Sequence, residues 1–518
     1  MKRTEMVQAV KATDRWDMII IGGGATGLGV AVDAASRGYK TLLLEKDDFA
    51  KGTSSRSTKL VHGGVRYLEQ GNISLVFEAL KERGLLKKNA PHLVHDQSFL
   101  VPFYSRWRGS YYWLGLKIYD LMAGNLGLGS SKYLTLEKTL DRVPTLKKEK
   151  LRGGILYFDG QFDDSRLAIN LAQTSAEQGG TLINYMKVTG LMKSGGKVYG
   201  VQVQDMLNGD EYEIEGETVV NATGVFTDSI RKMDNPEASP IITPSQGIHI
   251  VIDKHFLPGD TAIMIPKTSD GRILFALPWY DKVMVGTTDT PVEEIKSEPE
   301  ALENEIDFIL EHTAKYLTDA PTKSDIKSIF AGLRPLVTDP DAEDTAEVSR
   351  DHSLLISKSG LMTIAGGKWT TYREMAEDVV DKAIEKGGLS EQECITENLK
   401  IHGWKQGDNP DSPLSYYGSD KENVEQLVAE DPELGERLHS QMPYIKAEVV
   451  WATRNEMAMT VEDFNARRTR ALLLDAEASL EMAPEVARLM AREAGYDDQW
   501  IEKQLEDYKK LVEIYQPK

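Results

Sequence analysis

Apolar residues follow different rhythms along this chain, and each rhythm predicts an element. Residues 18–21 are an unbroken apolar run, the pattern of a strand buried on both faces. Gly22, Gly24 and Gly27 follow as a G-x-G-x-x-G turn, and a helix of small residues continues to about Arg37, where Gly38 breaks it. Residues 41–44 form a second apolar strand with Glu45 at its end. Strand, glycine turn, helix, strand and acid, in that order, is the dinucleotide-binding pattern in its required context.

The rest of the chain alternates. Residues 72–88 read as an amphipathic helix with Leu75, Val76, Ala79 and Leu80 on one face, and 98–104 as a strand. Asp163, Asp164 and Ser165 offer caps to a helix over 166–177. Residues 181–205 alternate as strands around Gly195-Gly196, and 218–222 form an apolar strand closing at Thr223-Gly224. Several strands between 243 and 290 predict a separate antiparallel sheet suited to cover a pocket. Residues 291–317 are acidic and helical, Arg334-Pro335 marks a turn, 354–364 a hairpin and 370–385 a helix. Beyond Gly387-Gly388 the chain reads as polar and helical to its end.

In the first turn, Gly22 permits the tight bend, Gly24 lets a pyrophosphate approach the backbone, and Gly27 lets the helix pack on the strand. The helix N-terminus, at Ala25 and Thr26, offers N–H groups and partial positive charge to phosphates. Glu45, followed by Lys46, stands where a carboxylate accepts hydrogen bonds from an adenosine ribose. One fingerprint predicts one dinucleotide.

At 518 residues the chain exceeds one hydrophobic core. With 61 basic and 81 acidic residues, a net charge of −20, it is unsuited to non-specific nucleic-acid binding, though a local basic pocket remains open to an anionic substrate. Cys394 is the sole cysteine, which excludes an intramolecular disulfide and a cysteine-rich metal site and fits a reducing compartment. His92 and His95 are three apart, without a carboxylate cluster at ligand spacing, so no metal is expected. No apolar run is long enough to span a membrane. Residues 111–122, YYWLGLKIYDLM, admit two readings: a helix packed in an interface, or a surface helix touching lipid or a quinone.

The segments IIIGGGATGLG, TSSRSTKLVHGGVRYLE, VVNATG, VGTTD, AGLRPL and AGGKWTTYRE occur in the order seen in FAD-dependent glycerol-3-phosphate dehydrogenases, which this chain resembles over roughly residues 15–385. The tail resembles that family's C-terminal domain in length and character. The resemblance implies an α/β fold: a Rossmann-like FAD-binding domain (1–100, 150–240 and 325–387), an antiparallel-sheet substrate (cap) domain (101–149 and 241–324), and an all-helical C-terminal domain (388–518). It implies FAD contacts from Thr53, Ser54 and Ser55 near the pyrophosphate, from Lys59, His62, Gly63 and Gly64 at the isoalloxazine, from Val188 at the adenine, and from Ala222 and Gly224 on the adenosine side. Gly367, Lys368, Thr370 and Thr371 sit at a predicted helix start, whose N–H groups can stabilise negative charge on a reduced ring.

A phosphate monoester is best held by guanidinium donors. The resemblance places Arg66, Tyr67, Arg334, Arg350 and Lys368 at the substrate. Oxidation of an alcohol needs a base near the reacting carbon, and histidine suits it. His62 and His249 are both candidates, with Arg334 stabilising the developing alkoxide. Some relatives carry Lys-Gly before the second histidine; this chain carries Gln246-Gly247, one cation fewer.

The implied reaction is oxidation of sn-glycerol 3-phosphate to dihydroxyacetone phosphate, hydride passing from C2 to flavin N5 and electrons to a quinone. The implied location is cytoplasmic, peripheral on the inner face of the cell membrane, with a homodimer left open. The alternatives are an oxidase passing electrons to oxygen, an amino- or 2-hydroxy-acid oxidase needing a carboxylate clamp, and a flavin-binding module without turnover.

Overall fold

A computed structural model describes residues 1–65, 72–266, 268–337, 352–407 and 412–517. Among them the strands form two sheets, of eight and ten strands. The first has a parallel core in the order Met362–Gly366, Glu211–Asn221, Arg15–Ile21, Thr41–Leu44, Thr181–Ile183. Ile19 faces Val219 on one side and Leu42 on the other, all three buried. Such a strand has no solvent face, which is why it reads as continuous Ile and Leu rather than as alternation. The helix Ala25–Ser36 packs on this sheet between Asp164–Glu177 and Tyr372–Gly387.

The second sheet is larger than the sequence predicts. Its path runs Thr290–Pro291, Ile242–Asp253, Lys282–Gly286, Leu274–Trp279, Thr261–Ile265, Val94–Phe103, Gly153–Phe162, Leu60–Val61, and it includes one parallel pair, Thr261–Ile265 against Val94–Phe103. It is therefore continuous with earlier strands, not separate. Gly153–Phe162 and Ile326–Val337, expected on the nucleotide side, pair here. Arg334 also departs from expectation: it lies within the strand Ile326–Val337, opposite Ser245, and not in a turn. Pro335 is tolerated because its partner is Pro244, so two residues without N–H groups face each other.

The last part holds the helices Lys421–Glu430, Lys446–Asn455, Ala476–Ala494 and Asp498–Ile514, with a π-helical turn at Asp463–Arg468. Their core, with Leu472, Met482, Val486 and Tyr508, is continuous with Phe99, Trp279 and Phe330 of the second sheet. Residues 389–407, expected to be helical, contain no helix. They form a strap whose backbone groups are satisfied elsewhere: Asn89 donates to the Thr396 carbonyl at 3.1 Å, and the Ile401 N–H to the Asn89 carbonyl at 3.0 Å.

Candidate active site

The glycine turn follows from steric need. Gly22 has φ +110°, and a Cβ on Gly27 would lie 1.9 Å from the Gly22 carbonyl oxygen, so the helix can sit on the strand only with glycine there. Gly24 caps the helix without a side-chain hydrogen bond, and the Ala25 N–H donates to Ser54 Oγ at 2.9 Å. Glu45 accepts from the Gly23 N–H at 2.6 Å and the Asp47 N–H at 2.9 Å, so here it braces the turn in addition to facing the cavity. Burial pushes its carboxyl up to about 7.

A cavity of about 410 Å³ lies against this turn. It is lined from Val188 and Glu45, past Gly22, Gly24, Ala25 and Thr26, to Gly366–Trp369; Lys46, Thr53, Ser54, Ala222, Gly224, Gly367 and Lys368 also face it. A helix N-terminus whose N-cap glycine supplies no side chain, glycines at the close approach and a cavity spanning both strand ends fit a dinucleotide.

Other expected contacts stand apart from that lining. Ser55 and Lys59 are buried behind it: the Lys59 ammonium donates to Asp164 Oδ2 and to the Ser55 carbonyl, both at 2.7 Å, and burial pulls its pKa down to about 7. His62, Gly63, Gly64, Thr370 and Thr371 are also outside the lining, and two of them meet at a second junction. There the His62 N–H donates to Thr370 Oγ1 at 3.3 Å, just ahead of the helix Tyr372–Gly387. Arg66, Tyr67 and Arg350 lie outside the described residues.

On the second sheet His249 and Arg334 lie on paired strands, close enough for the Arg334 charge to act on the imidazole. Thr58 Oγ1 lies 3.0 Å from His249 Nε2, and the imidazole stacks on Phe330 with centroids 4.9 Å apart. Its Nδ1 is buried without a hydrogen-bond partner. Burial, with the nearby Lys59 and Arg334 charges, holds its pKa well below the ordinary histidine value. Arg334 donates to Asp289 Oδ1 at 3.1 Å and to the Thr288 carbonyl at 2.9 Å. Two glycines make room for these side chains. A Cβ on Gly286 would meet His249 Cδ2 at 2.2 Å, and one on Gly247 would meet Arg334 Nη2 at 2.4 Å. The glycines of Q-G-I-H and V-G-T-T-D are thus space for the two candidate catalytic groups.

Gln246, at the position where some relatives carry lysine, donates to Glu305 Oε2 at 2.8 Å and to the Glu300 carbonyl at 2.9 Å. It braces the helix Glu303–Ala314, so its amide is committed elsewhere.

Sequence reading passed over several supporting residues. Trp369 donates its indole N–H to the Ser54 carbonyl at 2.8 Å, tying the two cofactor segments; its place inside GGKWTT was the available signal. The Gly63 N–H donates to the Tyr119 hydroxyl at 2.8 Å, which donates to Asp159 Oδ2 at 2.8 Å, while Arg83 holds Oδ1 at 2.7 Å. Arg272 lies across Asp289 from Arg334, 3.3 Å from Oδ2. No local pattern marks these, because their partners are far away in sequence.

A family model described as FAD dependent oxidoreductase matches residues 17–373, and one described as the C-terminal domain of alpha-glycerophosphate oxidase matches residues 362–501. The chain is 42% identical to the mitochondrial glycerol-3-phosphate dehydrogenase of Macaca fascicularis, over 98% of this chain and 75% of that protein. It is 41% identical to the Homo sapiens counterpart with the same coverage. Its fold matches the X-ray structure of the glycerol-3-phosphate dehydrogenase from Bacillus halodurans complexed with FAD, with TM-score 0.82 and 29% identity, over 99% of this chain and 97% of that one.

Proposed function

The chain belongs to the FAD-dependent glycerol-3-phosphate dehydrogenase family, and from that premise we propose that it oxidises sn-glycerol 3-phosphate at C2 and passes the electrons to a quinone at a membrane surface, in glycerol catabolism. The observation that carries the catalytic part is the placement of His249 and Arg334 on adjacent strands of the second sheet, each seated in space left by a glycine. FAD, when bound, supplies N5 as the hydride acceptor.

His249, kept neutral by burial and neighbouring cations, takes the C2 hydroxyl proton. A base must be neutral to accept, and the negative charge of the substrate phosphate and the developing alkoxide raises the proton affinity that burial and the neighbouring cations lower. Arg334 stands ready to stabilise the developing alkoxide, its guanidinium oriented by Asp289 and the Thr288 carbonyl. Arg66, Arg350 and Lys368 are the cations assigned to the phosphate. His62 is assigned to the flavin side, where its backbone already meets Thr370.

The aromatic helix Arg106–Ala123 supports the membrane part. Tyr119 and Leu116 are buried, whereas Trp107 and Leu121 are each 81% exposed, with Tyr111 and Leu114 beside them on the surface. Arg106, Arg108 and Lys117 accompany the apolar side chains. Such a helix lies in a lipid interface. Among the described residues no helix is long and apolar enough to cross a membrane. Tyr119 of the same helix touches Gly63, so the surface that meets lipid is one step from the flavin side of the site.

The dehydrogenase names of relatives at 41–42% identity favour this reading over the oxidase alternative. The test is anaerobic mixing of the purified yellow protein with sn-glycerol 3-phosphate. Loss of visible flavin absorbance is expected, followed by rapid recovery on adding a quinone and slow recovery in oxygen. No bleaching with flavin bound and substrate in excess would overturn the substrate; fast recovery in oxygen alone would overturn the acceptor.

A further inference from the structure

The loop from residue 45 to residue 59 has two working faces. One lines the cofactor cavity through Glu45, Asp47, Gly52, Thr53 and Ser54. The other is gripped by the C-terminal region. Asp48, fully buried, accepts from Arg467 Nε at 2.6 Å and from Arg468 Nη1 and Nη2 at 2.6 and 2.9 Å. Arg470 donates to the Ser55 carbonyl at 2.8 Å and to Asp164 Oδ1 at 3.1 Å, and Asp164 in turn holds Lys59. Lys51 donates to Glu462 Oε2 at 3.0 Å, and Glu462 also accepts from Arg467 at 2.7 Å.

The loop has little regular structure of its own, only a short helical turn at Thr53–Ser55. It also holds two non-glycine residues in the left-handed region, Ala50 at φ 61° and Lys59 at φ 58°. Backbone of that kind persists where its surroundings over-determine it. Here the surroundings are three arginines some four hundred residues away in sequence, Arg467 and Arg468 at the end of a π-helical turn and Arg470 just past it. Hydrophobic packing of the same volume would serve bulk stability as well as buried charges do. Bidentate guanidinium contacts add a defined geometry.

We propose that the segment 462–470 is a positioning element for FAD: it holds the cavity loop in the shape that accepts the dinucleotide, so FAD affinity and docking of this segment are linked. The proposal rests on the cofactor and is independent of the electron acceptor. Linkage is reciprocal, so bound FAD must in turn steady the segment.

The experiment uses full-length apoprotein and FAD without substrate. FAD dissociation constants are measured by flavin fluorescence for the wild type, Glu462→Gln and Arg468→Lys, with circular dichroism confirming the fold of each. In parallel, hydrogen exchange across residues 463–470 of the wild type is followed with and without FAD. The expected result is a loss of affinity of about fivefold or more in folded variants, together with slower exchange across the segment when FAD is bound. A smaller loss in a folded variant, or exchange indifferent to FAD, overturns the proposal. Glu462 is partly exposed and outside the cavity lining, so its variant decides the matter if Arg468→Lys does not fold. The wild-type exchange measurement needs no variant at all.

Discussion

The cofactor side and the substrate side of this site are built by opposite means. On the first sheet the work is done by backbone: a glycine turn, a helix N-terminus and a carboxylate that braces the turn through two N–H groups. On the second sheet it is done by side chains from segments far apart, with His249, Thr58, Arg334 and Asp289 meeting only when the sheet closes. A backbone cradle fails by steric intrusion. A side-chain site fails by loss of one group while its frame persists. The two kinds of failure separate in experiment.

The largest expected effect lies on the substrate side. His249→Ala is expected to slow flavin reduction by about 10²–10⁴-fold, with FAD still bound, because a general base is removed and the frame is not. His62→Ala should leave the reduction rate within about tenfold, as fits a group outside the proton transfer. Rapid-mixing spectrophotometry reads both. Near-normal rates in both variants would break the assignment of the base.

Next comes the cofactor side. In Gly27→Ala the new Cβ would stand 1.9 Å from the Gly22 carbonyl oxygen. The helix must lift from the strand, and overpacking of this kind costs about 1–3 kcal/mol, so FAD affinity should fall by about tenfold to a hundredfold. The purified variant should be pale and should regain colour with excess FAD. If it binds FAD as tightly as the wild type, the cradle is softer than its geometry indicates.

What could be read from the sequence follows the same division. The cradle was legible from 18 to 45 because its parts are neighbours in the chain, and glycines at fixed spacing carry their own meaning. The second sheet was legible as strands but not in extent: Val94–Phe103 and Ile326–Val337 join it through pairings no local pattern encodes. Arg334 was found through its motif, yet its strand was not, because Arg334-Pro335 reads as a turn until Pro244 is known to face it. The C-terminal region read as polar because its arginines look like a solvated surface. Arg467, Arg468 and Arg470 are instead among the most buried side chains of the molecule, each matched to carboxylates and carbonyls from other segments, and the buried Arg166 of the first-sheet helix reaches back to Glu456.

The aromatic helix sharpens the comparison from outside, since it packs beside the second sheet and exposes its apolar face there. Trp107→Ser combined with Leu121→Ser should weaken binding to vesicles containing anionic lipid by about tenfold or more, by the apolar area no longer buried. Anaerobic flavin reduction by substrate should be unchanged. Equal sedimentation of variant and wild type with vesicles would remove this face as the membrane contact.

The smallest expected effect is a difference in sign. His402 lies between Glu177 Oε1 at 2.6 Å and Asp420 Oδ2 at 2.7 Å, supporting the helix that packs on the first sheet. Burial opposes its charge, but the two carboxylates outweigh that and hold the imidazole up to about 9. A raised folded-state pKa gives stability that is present below the unfolded value of about 6.5 and is lost as pH rises through 9. His249 has the opposite shift: burial keeps it neutral in the folded state, so the unfolded chain takes up the proton first and stability falls as pH drops below about 6.5. Melting temperature against pH should therefore fall on both flanks, for separate reasons. His402→Gln should flatten the alkaline flank by about 2 °C and leave the acid flank alone. His249→Asn should do the reverse. If either variant moved the flank assigned to the other, the two sides of the site would be one cooperative unit with respect to charge, and the division between backbone cradle and side-chain site would hold only for chemistry.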